Sequence, residues 1–179
     1  RCIIGQFQKT RAVRAKYGLE QDGVILVPVP TYGLFLYALD EIVKDTGVEV
    51  RYIRRHDNGA IDVSSLNRAI ALCEEENKRI IAFYDCNPNN PTGYIRGEEE
   101  TRKLGAILDD VTGWNFSCDA AHISKIAGED AKYFWEKPSN GVMILEDMAY
   151  EGLEHVKDTK PFSFAQVSAN LASQTVVFK

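Results

Sequence analysis

No stretch of this 179-residue sequence is apolar for long enough to cross a membrane as a helix, and nothing at its start reads as a secretory leader. Basic residues are in short supply. Lys and Arg total 21 against 26 Asp and Glu, a net charge of −5, and no Lys/Arg stripe interrupts that balance. Nucleic acid is therefore a poor partner. Cysteine is sparse as well: Cys2, Cys73, Cys86 and Cys118 show no CxxC spacing, and no histidine stands in metal-ligand register with them. They read as reduced, mostly buried thiols of an intracellular protein, with no metal site among them. Internal repeats and low-complexity tracts are missing too. What remains is a chain able to bury a sizeable core, most simply as one domain.

The most informative stretch present is Asn87-Pro88-Asn89-Asn90-Pro91-Thr92-Gly93. The apolar run Arg79–Tyr84 before it is β-branched and aromatic, and predicts a buried strand. Gly97-Glu98-Glu99-Glu100 after it predicts a helix start, with acids at the positive end of the helix dipole. Each proline bars helix at the residue before it, so Asn87 and Asn90 are held extended. A stiff, amide-rich loop at the carboxyl end of a strand is where open α/β sheets place their ligands. A matching stretch follows at Val142–Leu153, where an apolar strand runs into Asp147 and a tyrosine, Tyr150, comes three residues later. Cys86, beside the central loop, admits a second reading as a partly reactive thiol.

In chain order, Cys2–Tyr17 predicts a helix stopped at Gly18. Strands follow at Val24–Val29 and Val48–Ile53, separated by a helix over Leu34–Lys44. Arg55–Gly59 is a turn, and Asp62 or Ser64 caps a helix that runs to about Asn77. The helix after the central loop extends to about Leu108, and Thr175–Phe178 is a last strand. This alternation predicts an α/β fold of three layers, α/β/α, around a mostly parallel sheet. Residues 111–140 break the pattern. Their five large aromatic residues predict a packed helical excursion inserted between helix and strand.

Asn-Pro-Thr-Gly followed by strand-Asp-x-x-Tyr, with Pro30-Thr31-Tyr32 upstream, resembles the large domain of fold-type I pyridoxal-phosphate-dependent aminotransferases, the aspartate aminotransferase-like class I/II enzymes. The resemblance covers roughly residues 20–179, apart from the insertion. It implies pyridoxal 5′-phosphate as cofactor, bound through Asp147 at the ring nitrogen, Asn90 and Tyr150 at the phenolic oxygen, and Tyr32 on the ring face. Asp119, in Cys118-Asp119-Ala120-Ala121-His122, is a rival for the acid because that run echoes the Asp-x-Ala-His of related decarboxylases and desulfurases. The implied function is amino group transfer between a small-molecule amino acid and a 2-oxo acid, by a homodimer in the cytoplasm without nucleic acid or membrane. A lyase or decarboxylase on the same fold would share these motifs, and a non-catalytic domain could retain them. Lys179 follows the last strand at a spacing compatible with the nucleophilic lysine, although no serine precedes it and the family's Ser-x-Ser-Lys would fall beyond it. The phosphate loop and small domain are likewise expected outside these residues, so the chain reads as a partial large domain over 1–179.

Overall fold

The computed structural model describes residues 2–16, 22–44, 46–114, 142–153 and 159–179. Asp119, His122 and nearly all of the 111–140 insertion lie outside the described residues. Six helical elements and five strands alternate along the described chain: Cys2–Ala15 (α1), Gly23–Val29 (β1), Gly33–Val43 (α2), Val48–Arg54 (β2), Val63–Glu75 (α3), Arg79–Cys86 (β3), Glu98–Trp114 (α4), Met143–Asp147 (β4), a 3-10 turn at Phe164–Gln166, Ala169–Gln174 (α5) and Thr175–Phe178 (β5). Local signals account for most of these boundaries. Asp62 caps α3 by accepting from the Ser64 and Ser65 amides. Three glutamates occupy the first turn of α4, and Ser168 caps α5.

All the strands pair in parallel, in the order β2-β1-β3-β4-β5. β3 lies at the centre and is buried along its whole length, as a parallel strand covered on both faces must be. Val24, Leu26, Ile80, Phe83 and Ile144 face α3, α4, the 3-10 turn and α5, where Leu66, Leu104, Leu108, Phe164 and Leu171 complete one core. Ile25, Val27, Ile81 and Tyr84 face the opposite way, against Ile4 of α1 and Leu39 of α2. The expected α/β/α sandwich is what forms. From β1 the chain moves out to β2 and then returns past β1 to β3, so the order in which strands are added reverses between β1 and β3. Crevices for ligands open at the carboxyl ends of such a reversal.

One irregularity sets the faces of the site. The β1–β3 register shifts, pairing Val24 with Ile80 but Ile25 with Ala82, so that Ile81 is an extra residue. Beyond that bulge Tyr84 points toward α2, and Asp85 points toward α4. Several boundaries differ from expectation by a residue or more, and three of them bear on the site. α4 continues past Leu108 to Trp114, because Val111 extends the buried stripe of Leu104 and Leu108 by another turn. β3 and β4 run on through Cys86 and Asp147, since the two strand ends still pair with one another.

Candidate functional site

The carboxyl ends of β1, β3 and β4 and the segments that leave them form one edge. Asp147 is the last residue of β4 and stands opposite Cys86 in register. Its carboxylate accepts from the Tyr84 hydroxyl at 3.1 Å and from the Ala149 amide at 3.1 Å. Burial, with the Asp147 charge alongside, pushes the Tyr84 phenol far above its usual range, so the phenol stays protonated and donates. The Phe35 ring of α2 stacks on Tyr84, with centroids 3.7 Å apart. Neither Tyr84 nor Phe35 was visible as a site residue in the sequence. The signal lay in the parity of β3, which the bulge conceals.

The three asparagines of the central loop do different work. Asn87 is fully buried; its side-chain amide donates to the Arg96 carbonyl at 3.0 Å and its side-chain oxygen accepts from the Arg96 amide at 2.8 Å. Asn89 donates to the Pro30 carbonyl at 3.3 Å and accepts from Thr92, which ties the loop to the end of β1. Asn90 points across to the other strand end and donates to the Tyr150 hydroxyl at 2.7 Å. The Asn87 amide also donates to the Asp147 carbonyl at 2.8 Å. The structure thus brings Asn90, Asp147 and Tyr150 to one edge.

Tyr32 occupies the N-cap position of α2 just after β1, with 39% of its surface exposed at the same edge. Lys179 follows β5, the strand beside β4, and its ammonium pairs with Glu151 at 2.6 Å. Cys86 is buried and its thiol donates to the Pro88 carbonyl; burial pushes its pKa up to about 11, which makes it a structural thiol and removes the reactive reading. Among the described residues there is no cluster of His, Cys, Asp and Glu fit to hold a metal ion, and no helix long and apolar enough to span a membrane. Chemically, the edge offers one carboxylate whose two oxygens each accept one hydrogen bond and keep lone pairs, and two donors with hydrogens to spare.

Residues 12–175 match the family model for aminotransferase class I and II. Curated relatives include glutamate–glyoxylate aminotransferase 2 of Arabidopsis thaliana, 32% identical over 48% of this chain and 17% of the relative. Histidinol-phosphate aminotransferase of Blochmanniella pennsylvanica is 31% identical over 50% of this chain and 22% of that protein. Among solved structures, an aminotransferase from Escherichia coli superposes with a TM-score of 0.55 at 16% identity, over 96% of this chain and 32% of its own. A PLP-bound protein from Clostridium difficile 630, assigned as an aminotransferase, gives 0.53 at 20% identity over 92% and 34%. The match spans about a fifth of those curated relatives and about a third of those solved chains.

Proposed function

This chain belongs to the class I and II aminotransferase family, and from that premise we propose that it carries the ring-binding part of a pyridoxal 5′-phosphate site in a protein that moves an amino group between an amino acid and a 2-oxo acid. The observation that carries the reading is the meeting of one carboxylate, Asp147, with two donors, Tyr150 and Asn90, on neighbouring strand ends. The donor set suits the cofactor. Asp147 spends one oxygen on Tyr84 and the other on Ala149, and keeps lone pairs and its charge for a ring nitrogen, which it would hold protonated. Tyr150 accepts from Asn90 and retains its own hydrogen, while Asn90 retains a second amide hydrogen; together they stabilise a phenolate oxygen. Tyr32 covers the ring face. Pyridoxal phosphate, when bound, supplies an electron sink for charge at the substrate Cα.

The names of the relatives, glutamate–glyoxylate and histidinol-phosphate aminotransferase, support transamination over a lyase or decarboxylase on the same scaffold. A cytoplasmic homodimer is the form that best suits this reading. Exposed apolar side chains at Leu34 and Tyr37 on α2 support it, since such faces favour association. The test is Asp147→Asn in the intact protein. Folding is expected to survive, because the amide oxygen still accepts from Ala149 while the amide nitrogen donates to the Tyr84 hydroxyl oxygen, whose own hydrogen turns away. Turnover should fall by about a hundredfold or more, the size of effect seen when a preorganised charge is removed from an active site. Unchanged kcat would move the role to Asp119 or dismiss it. Borohydride trapping of bound cofactor followed by peptide mapping decides Lys179: label on it assigns the nucleophile, and label elsewhere removes it.

A further inference from the structure

Behind the candidate site, on the opposite face of the sheet, lies a buried cluster of charge. Asp85 and Glu146 are register partners on β3 and β4, one residue before Cys86 and Asp147. Neighbouring parallel strands lie about 4.8 Å apart, so these two acids stand side by side, with side-chain exposures of 1% and 0%. Two adjacent buried carboxylates are tolerable only with cationic partners. Arg96 is the shared one. Its Nε donates to Asp85 at 2.9 Å and a terminal nitrogen donates to Glu146 at 2.6 Å, while the other reaches Thr101 and the Phe162 carbonyl. The guanidinium lies 4.1 Å over the Phe164 ring. Arg55 takes the second oxygen of Asp85, and Ser163 and the Phe164 amide take the second oxygen of Glu146.

We propose that Arg96 is a positioning residue for the candidate site, bridging Asp85 and Glu146 so that the loop bearing Asn90 is locked to the strand bearing Asp147. The links close a ring. The Arg96 backbone is bonded both ways to the Asn87 side chain, its guanidinium holds Glu146, Glu146 is bonded covalently to Asp147, and the Asp147 carbonyl receives the Asn87 amide. Buried ion pairs are poor stabilisers compared with apolar packing of equal volume, so stability alone is a weak reason for four buried charges here. A planar fork with fixed donor directions does what apolar packing cannot: it sets the relative position of two strand ends and a loop. Sites of this kind need their groups held to within about 0.5 Å. The inference rests on the cofactor reading for its functional meaning but not for its geometry.

The experiment uses the intact protein with Arg96→Lys, which keeps a charge and loses the fork, and Arg96→Met, which loses both. Amide hydrogen exchange is measured without cofactor, and pyridoxal phosphate is then titrated in by absorbance. Outer partners of metal-ligand sets are typically worth about ten- to a hundredfold in affinity, and the lower end of that range is taken as the expectation here. The expected result for Arg96→Lys is exchange about tenfold faster across Asn89–Ile95, with Val24–Val27 of β1 unchanged, and cofactor affinity weakened about tenfold. If Arg96→Met fails to fold, Arg96→Lys decides alone. Exchange that accelerates equally in β1 and the loop would mean that Arg96 only stabilises the core, and would overturn the proposal. Unchanged loop exchange would overturn it as well. If the unaltered protein takes up no pyridoxal phosphate, the cofactor reading fails while the exchange result still judges the positioning role.

Discussion

At Asp62 a single carboxylate starts α3. One oxygen accepts from the Ser64 amide at 2.9 Å, the Ser65 amide at 3.2 Å and the Ser64 hydroxyl, and the other faces Arg54 at 3.1 Å. The Ser64 hydroxyl bond, with the two amides, holds the Asp62 pKa down at about 2. A folded-state pKa below the unfolded value of about 4 stabilises the fold fully above pH 4. That contribution is lost as pH falls from about 4 toward 2. Asp62→Asn keeps an N-cap acceptor but removes the titration, so its urea midpoint should vary less with pH across that window than that of the unaltered protein. The same acid slope in both proteins would show that Asp62 is not the group responsible. Asp62 was legible only as one of two candidate caps, beside Ser64, and the choice between them, like the Arg54 partner, needed the structure.

Among the elements, the turn between β2 and α3 matters most to the site, because it packs on the central loop. Arg55 and Ile61 form an antiparallel bridge, and Gly59 between them has φ +92°. A Cβ at Gly59 would lie 2.5 Å from Cβ of Tyr94, whose hydroxyl bonds to Glu100. Gly59→Ala therefore combines left-handed strain, about 1–3 kcal/mol, with displacement of a loop residue that has little room to yield. Gly93, at φ +70°, meets nothing within 4 Å of an added Cβ. Gly93→Ala should cost only the backbone strain, about 1 kcal/mol, and Gly59→Ala at least about 2 kcal/mol, both measured by urea unfolding. Equal costs at the two positions would refute the docking argument. The Asn58-Gly59 turn is plain in the sequence; that it leans on Tyr94 is not, because the two are distant in the chain.

For the molecule as a whole, the sheet ends on one side at β5, which pairs only with β4 among the described strands and leaves Val176 and Phe178 exposed at 41% and 50%. An apolar edge strand with free backbone groups is a template for association. The 179-residue chain should therefore self-associate, and Val176→Lys should shift it toward monomer in light scattering. The urea midpoint should change little, since the side chain is already half in water. Association unaffected by that lysine would place the contact elsewhere. Spacing and hydropathy were enough to foresee the alternating elements, but the strand order required knowing which helix crosses which face.

Read alone, the sequence determined the period of the five strands and of α1 to α4, the two motifs at strand ends, and hence the edge on which Asn90, Asp147 and Tyr150 meet; the 3-10 turn at Phe164–Gln166 and α5 were not foreseen. These are local properties: a run of β-branched residues, a proline that forbids helix, an acid where a strand stops. Tertiary structure alone decided that Tyr84 donates to Asp147, that Asn87 and Asn89 build the loop while Asn90 faces the site, and that Asp85, Glu146, Arg55 and Arg96 share one buried cluster. The reason is parity. In a strand with a period of two, one extra residue at Ile81 exchanges the faces of everything after it, and which strand then lies alongside is set by packing across the sheet.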